Sequence, residues 1–341
     1  MNIIEKGNLK ILRSTDYNYL FNKNNGYFLR WGKEIDDDPQ YSPYGPEILD
    51  IEVTTKCTGP SNKVCSFCYK SNTPNGSNMS LNTFKTILDK MPKTLTQIAF
   101  GADAHATSNP ELWEMMKYAR SKDVIPNITV AEITDDIADS LVHYCGAVAV
   151  SRYSDKNLCY DSVKKLTDRG LKQVNIHQMI CQETYEQAID TIKDCKIDKR
   201  LANLNAIVFL SLKKKGRGER YTPLTLEQFK SLVNLSFELK SPFGFDSCSC
   251  HKFMDAIKDR KDYSQLMKSA EPCESSAFSS YIDVDSTFYP CSFSEEAQGW
   301  EEGLKITEET DFMKDIWNNP RTIEFRNNLL KCSRKCPLYK I

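Results

Sequence analysis

The chain has 341 residues, enough to bury a large core either as one big domain with an appendage or as two domains. Its 45 Lys and Arg against 46 Asp and Glu leave a net charge of −1, so no global basic field argues for nucleic acid, which leaves only a local patch as a route to it. No apolar run is long enough to span a bilayer, and MNIIEKGNLKILRS lacks the apolar core and cleavage site of a signal peptide, so a cytoplasmic protein with no membrane association is expected.

Along the chain, FNKNNGYFLRW predicts a β-hairpin, its aromatic runs flanking a turn at Asn24, Asn25 and Gly26. A regular rhythm follows. Strands are predicted at 48–53, 96–101, 126–131, 147–151, 173–180 and 204–212. Helices are predicted between and after them, at 80–91, 109–122, 135–145, 161–170, 183–195 and 224–239. Ser80 caps the first helix. Asn109 with Pro110 opens the second, and Gly170 closes the fourth. Buried strands alternating with amphipathic helices imply a parallel sheet. Six such units suit an α/β fold: a partial (β/α)6 parallel barrel, with its active site at the C-terminal strand ends. The expected organisation is an N-terminal β-hairpin extension over 1–47, the partial barrel over 48–240 and a cysteine-rich C-terminal module over 241–341. The loop KKKGRGER (213–220) reads either as a solvated loop or as a clamp for an anionic group.

Thirteen cysteines are too many to be incidental. Without a secretion signal, clustered cysteines read as metal or catalytic sites rather than disulfides. Cys57, Cys65 and Cys68 follow the first barrel strand; Cys248, Cys250, Cys273 and Cys291 form a second group; Cys332 and Cys336 lie near the end. Cys145, Cys159, Cys181 and Cys195 are scattered and read as small buried hydrophobes. A structural zinc site wants four ligands, and the first group offers three with nothing nearby to complete it. Three thiolates on one loop can instead hold three irons of a four-iron cluster and leave the fourth iron open. Phe67 and Tyr69, beside the last two of these cysteines, would shield such a cluster from water.

On these residues the chain resembles the radical S-adenosylmethionine (radical SAM) enzymes. That family usually spaces its cysteines C-x3-C-x2-C; here the first gap is seven residues, TGPSNKV. The resemblance implies a SAM-binding [4Fe–4S] cluster on Cys57, Cys65 and Cys68. It also implies SAM chelated at the open iron and its reductive cleavage to a 5′-deoxyadenosyl radical, which abstracts hydrogen from a substrate. Gly101, Ala102 and Asp103 stand where the family binds the SAM ammonium. Ser151 and Arg152 stand where it contacts the ribose or carboxylate, and His177, alternating with Asn175, is a further cofactor-facing candidate.

The segment CESSAFSSYIDVDSTFYPCSF and the final KCSRKCPLY are similar to SPASM and twitch extensions, which bind auxiliary clusters. The resemblance implies one auxiliary [4Fe–4S] cluster on Cys273, Cys291, Cys332 and Cys336. A structural zinc is the alternative. Cys248 and Cys250 then substitute for one of those ligands, complete a second site, or include a catalytic thiol that donates a hydrogen atom. The implied partners are a peptide or protein side-chain substrate and a one-electron donor such as flavodoxin or ferredoxin. A small-molecule substrate, a nucleotide or sugar derivative held by the basic loop, is the second reading. A non-enzymatic iron–sulfur or zinc scaffold is the third.

Overall fold

The computed structural model describes residues 1–339. Four short strands open the chain: β1 (Asn2–Lys6), β2 (Leu9–Arg13), β3 (Asn18–Asn22) and β4 (Phe28–Trp31), an antiparallel sheet in sequential order. The expected hairpin at Asn24–Gly26 is the second half of this sheet. The sequence reading misses the first half, a tight turn at Lys6-Gly7-Asn8 between two short alternating strands. The sheet lies against the N-terminal ends of the main strands. There the Tyr19 hydroxyl donates to the Thr94 carbonyl (2.7 Å) and the Lys10 ammonium to the Leu95 carbonyl (2.7 Å).

The predicted rhythm is present in full. It comprises β5 (Ile48–Glu52), α1 (Leu81–Lys90), β6 (Gln97–Gly101), α2 (Leu112–Ser121), β7 (Ile125–Val130) and α3 (Asp135–Tyr144). Then come β8 (Ala147–Ser151), α4 (Lys156–Asp168), β9 (Gln173–Ile180), α5 (Tyr185–Ile197), β10 (Ala206–Ser211) and α6 (Leu226–Glu238). A seventh strand, β11 (Phe243–Phe245), follows, and β5 to β11 run parallel in chain order. Capping fixes the helix starts. Ser80, Thr134 and Thr225 accept from the backbone N–H of Thr83, Ile137 and Gln228, which satisfies donors the helix leaves free. Asp155 caps α4, so that helix starts five residues before the expected 161.

The segment after residue 240 does not stand apart from the sheet. After α7 (Cys250–Ile257) and α8 (Tyr263–Met267), β12 (Ser279–Ile282) pairs in parallel with β5, at the edge opposite β11. β13 (Thr287–Tyr289) and β14 (Leu304–Lys305) extend it antiparallel, and α9 (Pro320–Lys331) follows. The result is one mixed sheet of ten strands, ordered β11-β10-β9-β8-β7-β6-β5-β12-β13-β14.

Burial alternates residue by residue along β5, β6, β9 and β10. Ile51, Ile98, Val150, Ile176 and Phe209 belong to the face that is sealed in the main core. The other face, with Asp50, Thr129, Ser151, Asn175 and His177, is only half-buried and largely polar. Parallel sheets ordinarily bury both faces. A polar, half-covered second face therefore marks the working side. Among the described residues no helix is long and apolar enough to cross a membrane.

Candidate functional site

The loop leaving β5 carries the first three cysteines. Its two arms fold back on each other: Thr55 N–H donates to Ser77 O (2.9 Å), Cys57 N–H to Thr73 O (2.9 Å), and Met79 N–H to Val53 O (3.0 Å). Cys65 and Cys68 sit on the turn between the arms, all three cysteines half-buried. The long first gap forms a short 3-10 turn, Pro60–Asn62. Gly59 enters it at φ +73°, where a Cβ would stand 1.9 Å from the Lys63 carbonyl oxygen, so glycine is required. His105 reaches the carbonyls of Gly59 (3.1 Å) and Glu132 (3.0 Å), and Ser61 N–H donates to the Glu132 carboxylate (2.8 Å). The inserted turn is thus tied to the loop after β7.

Burial raises the Cys65 thiol above its ordinary value; the Tyr153 hydroxyl opposes this, while the neighbouring Cys68 and Cys57 thiols raise it further. Phe67 stacks on Tyr153 (5.5 Å between centroids) and meets Tyr221 edge-on (6.0 Å), an aromatic wall beside the thiols. Among the described residues no three His, Cys, Asp or Glu side chains converge as one metal ion requires. A four-iron cube binds each thiolate to a different iron, so its ligands stand farther apart than those of a single zinc. Three thiols on one loop, not converging on a point, fit that group better than a mononuclear ion.

The basic loop after β10 has a role that neither of its two expected readings names. Arg217 donates from Nε to Cys65 O (2.7 Å) and from Nη2 to Asn72 O (3.0 Å), and its backbone N–H donates to Cys68 O (3.0 Å). Arg220 donates to Ser66 O (2.9 Å), and Tyr221 bonds the Ser66 hydroxyl (2.5 Å). Gly216, at φ +56°, lies so close that a Cβ would meet Tyr69 O at 2.4 Å. The loop is a clamp on the cysteine turn, and its guanidiniums are spent on protein carbonyls.

The strand-end candidates divide. Gly101 is exposed at the end of β6, opposite Glu52, and Ala102 is half-buried beside it. Asp103 faces its own loop: its carboxylate accepts from the N–H groups of His105 (3.1 Å), Thr107 (2.9 Å) and Ser108 (2.9 Å), and from the Thr107 hydroxyl (3.4 Å). Four donors fill a carboxylate, and the expectation that it receives a ligand's ammonium gives way to a loop-organising role. Ser151 lies on the half-open face, paired with His177. Arg152, just past the end of β8, lies 5.6 Å over the Tyr160 ring of α4. Its Nε and Nη1 are buried without partners. His177 is held near Thr129 Oγ1 (3.5 Å), and burial lowers its pKa to about 4, opposed by the charge of Asp246.

Beside Gly101 lies a polar network that sequence reading does not single out. Lys70, two residues past Cys68, donates to the Tyr281 hydroxyl (2.8 Å), pairs with Glu52 (3.2 Å) and pairs with Glu295. The Tyr281 hydroxyl donates to Glu52 (3.2 Å). Burial raises Asp50, on the same strand, to about 6. The pairing of β5 with β12 assembles this group, and no local sequence signal reports that pairing. A cleft of about 670 Å3 opens next to it, between Lys70, Lys214, Lys215, Glu219, Glu295 and Glu296.

The second cysteine group converges, with one exchange of members. Cys248, Cys273, Cys291 and Cys336 line one small cavity, together with Lys213 and Phe293. Cys248 sits on a 3-10 turn, Ser247–Ser249, capped by Asp246. Cys273 is held by Arg334, whose carbonyl accepts its N–H (3.2 Å) and whose Nε donates to its carbonyl (2.9 Å). Burial pushes the Cys273 thiol up to about 11, with Cys291 and Cys336 adding to the rise. Burial also raises Cys248, opposed by Lys213. Cys332, expected in this set, is not among the residues lining the cavity: its thiol lies within hydrogen-bond reach of the Leu329 (3.2 Å) and Lys335 (3.1 Å) carbonyls. Cys250 is wholly buried in the first turn of α7 against Met254 (3.8 Å), apart from the four thiols of that cavity. Of the four scattered cysteines, Cys145, Cys159 and Cys181 are buried as expected and Cys195 is half-buried; burial pushes the thiols of Cys145, Cys159 and Cys195 up to about 12.

No protein-family model and no curated protein matches the sequence. Solved structures do. The chain is similar to Streptococcus suis SuiB bound to the precursor peptide SuiA, with a TM-score of 0.68 at 13% identity over 95% of this chain and 90% of that one. It is similar to the same protein bound to S-adenosylmethionine, with a TM-score of 0.65 at 13% identity over 94% of this chain and 89% of that one. The chain therefore has the fold of SuiB along nearly its whole length.

Proposed function

We propose that the protein is a radical SAM enzyme: a partial barrel whose first-strand loop holds a [4Fe–4S] cluster on Cys57, Cys65 and Cys68. The observation that carries the reading is that three half-buried thiols stand on one clamped loop, at the C-terminal strand ends of a fold shared with a SAM-bound protein. When bound, cluster and SAM supply a one-electron reductive cleavage and a hydrogen-atom abstraction from a substrate C–H bond. The chain's own residues bind, orient and exclude water. Arg217 and Gly216 hold the cysteine turn. Phe67, Tyr153 and Tyr221 wall it from solvent, and exposed Gly101 lets a ligand approach the β6 backbone. Electrons come from a small carrier such as flavodoxin or ferredoxin.

A single auxiliary [4Fe–4S] cluster belongs to the same reading, on Cys248, Cys273, Cys291 and Cys336. Four thiols lining one cavity fit it, and Cys248 takes the place first assigned to Cys332. The proposed substrate is a peptide or protein side chain. SuiB was solved with a precursor peptide, and the charged cleft beside Lys70 offers an extended chain room. The small-molecule reading drew its support from the basic loop as a phosphate clamp, and Arg217 and Lys213 are committed inside the protein.

The test is reductive SAM cleavage under dithionite. The Cys57→Ala, Cys65→Ala, Cys68→Ala triple variant is expected to form no 5′-deoxyadenosine while retaining about one cluster's iron. Continued 5′-deoxyadenosine formation refutes the assignment.

A further inference from the structure

Lys213 is buried, 6% exposed, in a protein that could have placed a methionine there. Taking an ammonium out of water is costly, and a fold retains one in its interior where a specific charge repays the cost. Two partners are visible. On one side the Asp246 carboxylate forms an ion pair with it. On another, the ring of Phe293 lies 4.8 Å from its nitrogen. Neither explains where the side chain leads. Lys213 lines the four-cysteine cavity, and Asp246 does not. Among the described residues that line that cavity, Lys213 is the one cationic side chain, and no carboxylate lines it. The ammonium therefore stands in the cavity wall, while the carboxylate paired with it is not part of the lining. Asp246 also caps the turn carrying Cys248 through Ser249, whose N–H donates to it (3.1 Å). One carboxylate thus fixes both the ammonium and a cysteine of the cavity.

We propose that Lys213 is an electrostatic positioning residue that sets the reduction potential of the auxiliary cluster. The inference rests on the auxiliary-cluster reading above. Four thiolates around a four-iron core give a net negative group, and one-electron reduction adds a further negative charge. A fixed cation at the cavity wall favours the reduced state, because cluster potentials follow net charge and hydrogen bonding to the sulfurs. Asp246, paired with the ammonium, moderates the effect. The electron comes from the external carrier or, in the test, from dithionite, and no bond is made or broken.

The experiment uses the full chain carrying Cys57→Ala, Cys65→Ala and Cys68→Ala, so that the auxiliary cluster alone is read. Dithionite titration with mediators is followed by electron paramagnetic resonance. Lys213→Met is expected to make reduction at least tenfold less favourable, a fall of about 59 mV for one electron. Lys213→Arg keeps the parental value within a factor of three. Asp246→Asn, which still caps the Cys248 turn, unmasks the ammonium and shifts the potential the opposite way. A merely structural lysine predicts no such opposed pair of shifts. Iron-loaded Lys213→Met and Asp246→Asn proteins at the parental potential overturn this inference alone. If Lys213→Met fails to hold iron, the Asp246→Asn shift decides. Absence of iron in the triple-variant parent overturns the auxiliary-cluster reading and this inference with it.

Discussion

Arg217→Ala removes two side-chain hydrogen bonds, to Cys65 O at 2.7 Å and Asn72 O at 3.0 Å, and leaves the backbone bond to Cys68 O in place. Charge-assisted bonds of this kind contribute about 1.5–3 kcal/mol each. The side chain is half-buried, so the lower figure applies, and the loss is about 3 kcal/mol for the pair. At about 1.4 kcal/mol per factor of ten, the cysteine turn opens roughly a hundredfold more readily. The assay is iron retention against a ferrous chelator, in a chain carrying Cys273→Ala and Cys291→Ala so that iron reports on the first cysteine loop. The chelator concentration for half-loss is expected to fall by about two orders of magnitude in Arg217→Ala. It should fall by less in Arg217→Lys, which keeps the charge without the fork geometry. The reasoning is refuted if folded Arg217→Ala holds iron as firmly as its parent. A lowered melting temperature with unchanged iron retention per folded chain refutes it equally, because the clamp would then be a global rather than a local contact.

Two further outcomes follow from the geometry. Cys248→Ala should lower bound iron by about four atoms per chain, the content of one cluster, while Cys332→Ala should leave it unchanged; equal losses would restore the C-x3-C pair as ligands. His177 carries a pH signature. Its pKa is about 4 when folded and about 6.5 when unfolded, so between those values the unfolded chain takes up a proton that the folded chain refuses. Stability from this group is fully present above pH ~6.5 and declines as pH falls toward ~4, by at most about 3 kcal/mol. His177→Asn should flatten that part of the acid-denaturation profile, and an unchanged profile counts against the buried, neutral imidazole.

The rhythm of strand and helix was legible because each strand–helix unit writes its own pattern: β-branched runs, a cap at Ser80, a glycine stop at Gly170. What escaped was non-local or depended on direction. β12 pairs with β5 across more than two hundred residues, and four residues of strand inside a cysteine-rich segment do not announce that pairing. The two cysteine pairs misled for local reasons that are physical. Cys248 and Cys250 look equivalent in C-x-C, yet they straddle the start of α7, and residues two apart on a helical path do not share a face. Cys332 and Cys336 look like a unit in C-x3-C. Ser333 and Arg334 between them take φ of +55° and +59°, which turns Cys332 back onto the end of α9 and sends Cys336 forward into the cavity.

The seam between β5 and β12 is what makes the two cysteine groups one construction. Cys68 is followed by Tyr69, whose ring packs 4.4 Å from Phe293, and Phe293 lines the second cavity. Lys70 then crosses the seam to Tyr281 on β12 and to Glu295 beyond Cys291. Lys213, which lines the second cavity, and Arg217, which grips the first loop, belong to one short segment after β10. A basic loop that looked like a ligand clamp is therefore the strut between two cysteine sites. The charge balance of the whole chain conceals it, because Lys213, Lys215 and Arg217 are matched against Asp246, Glu295 and backbone carbonyls.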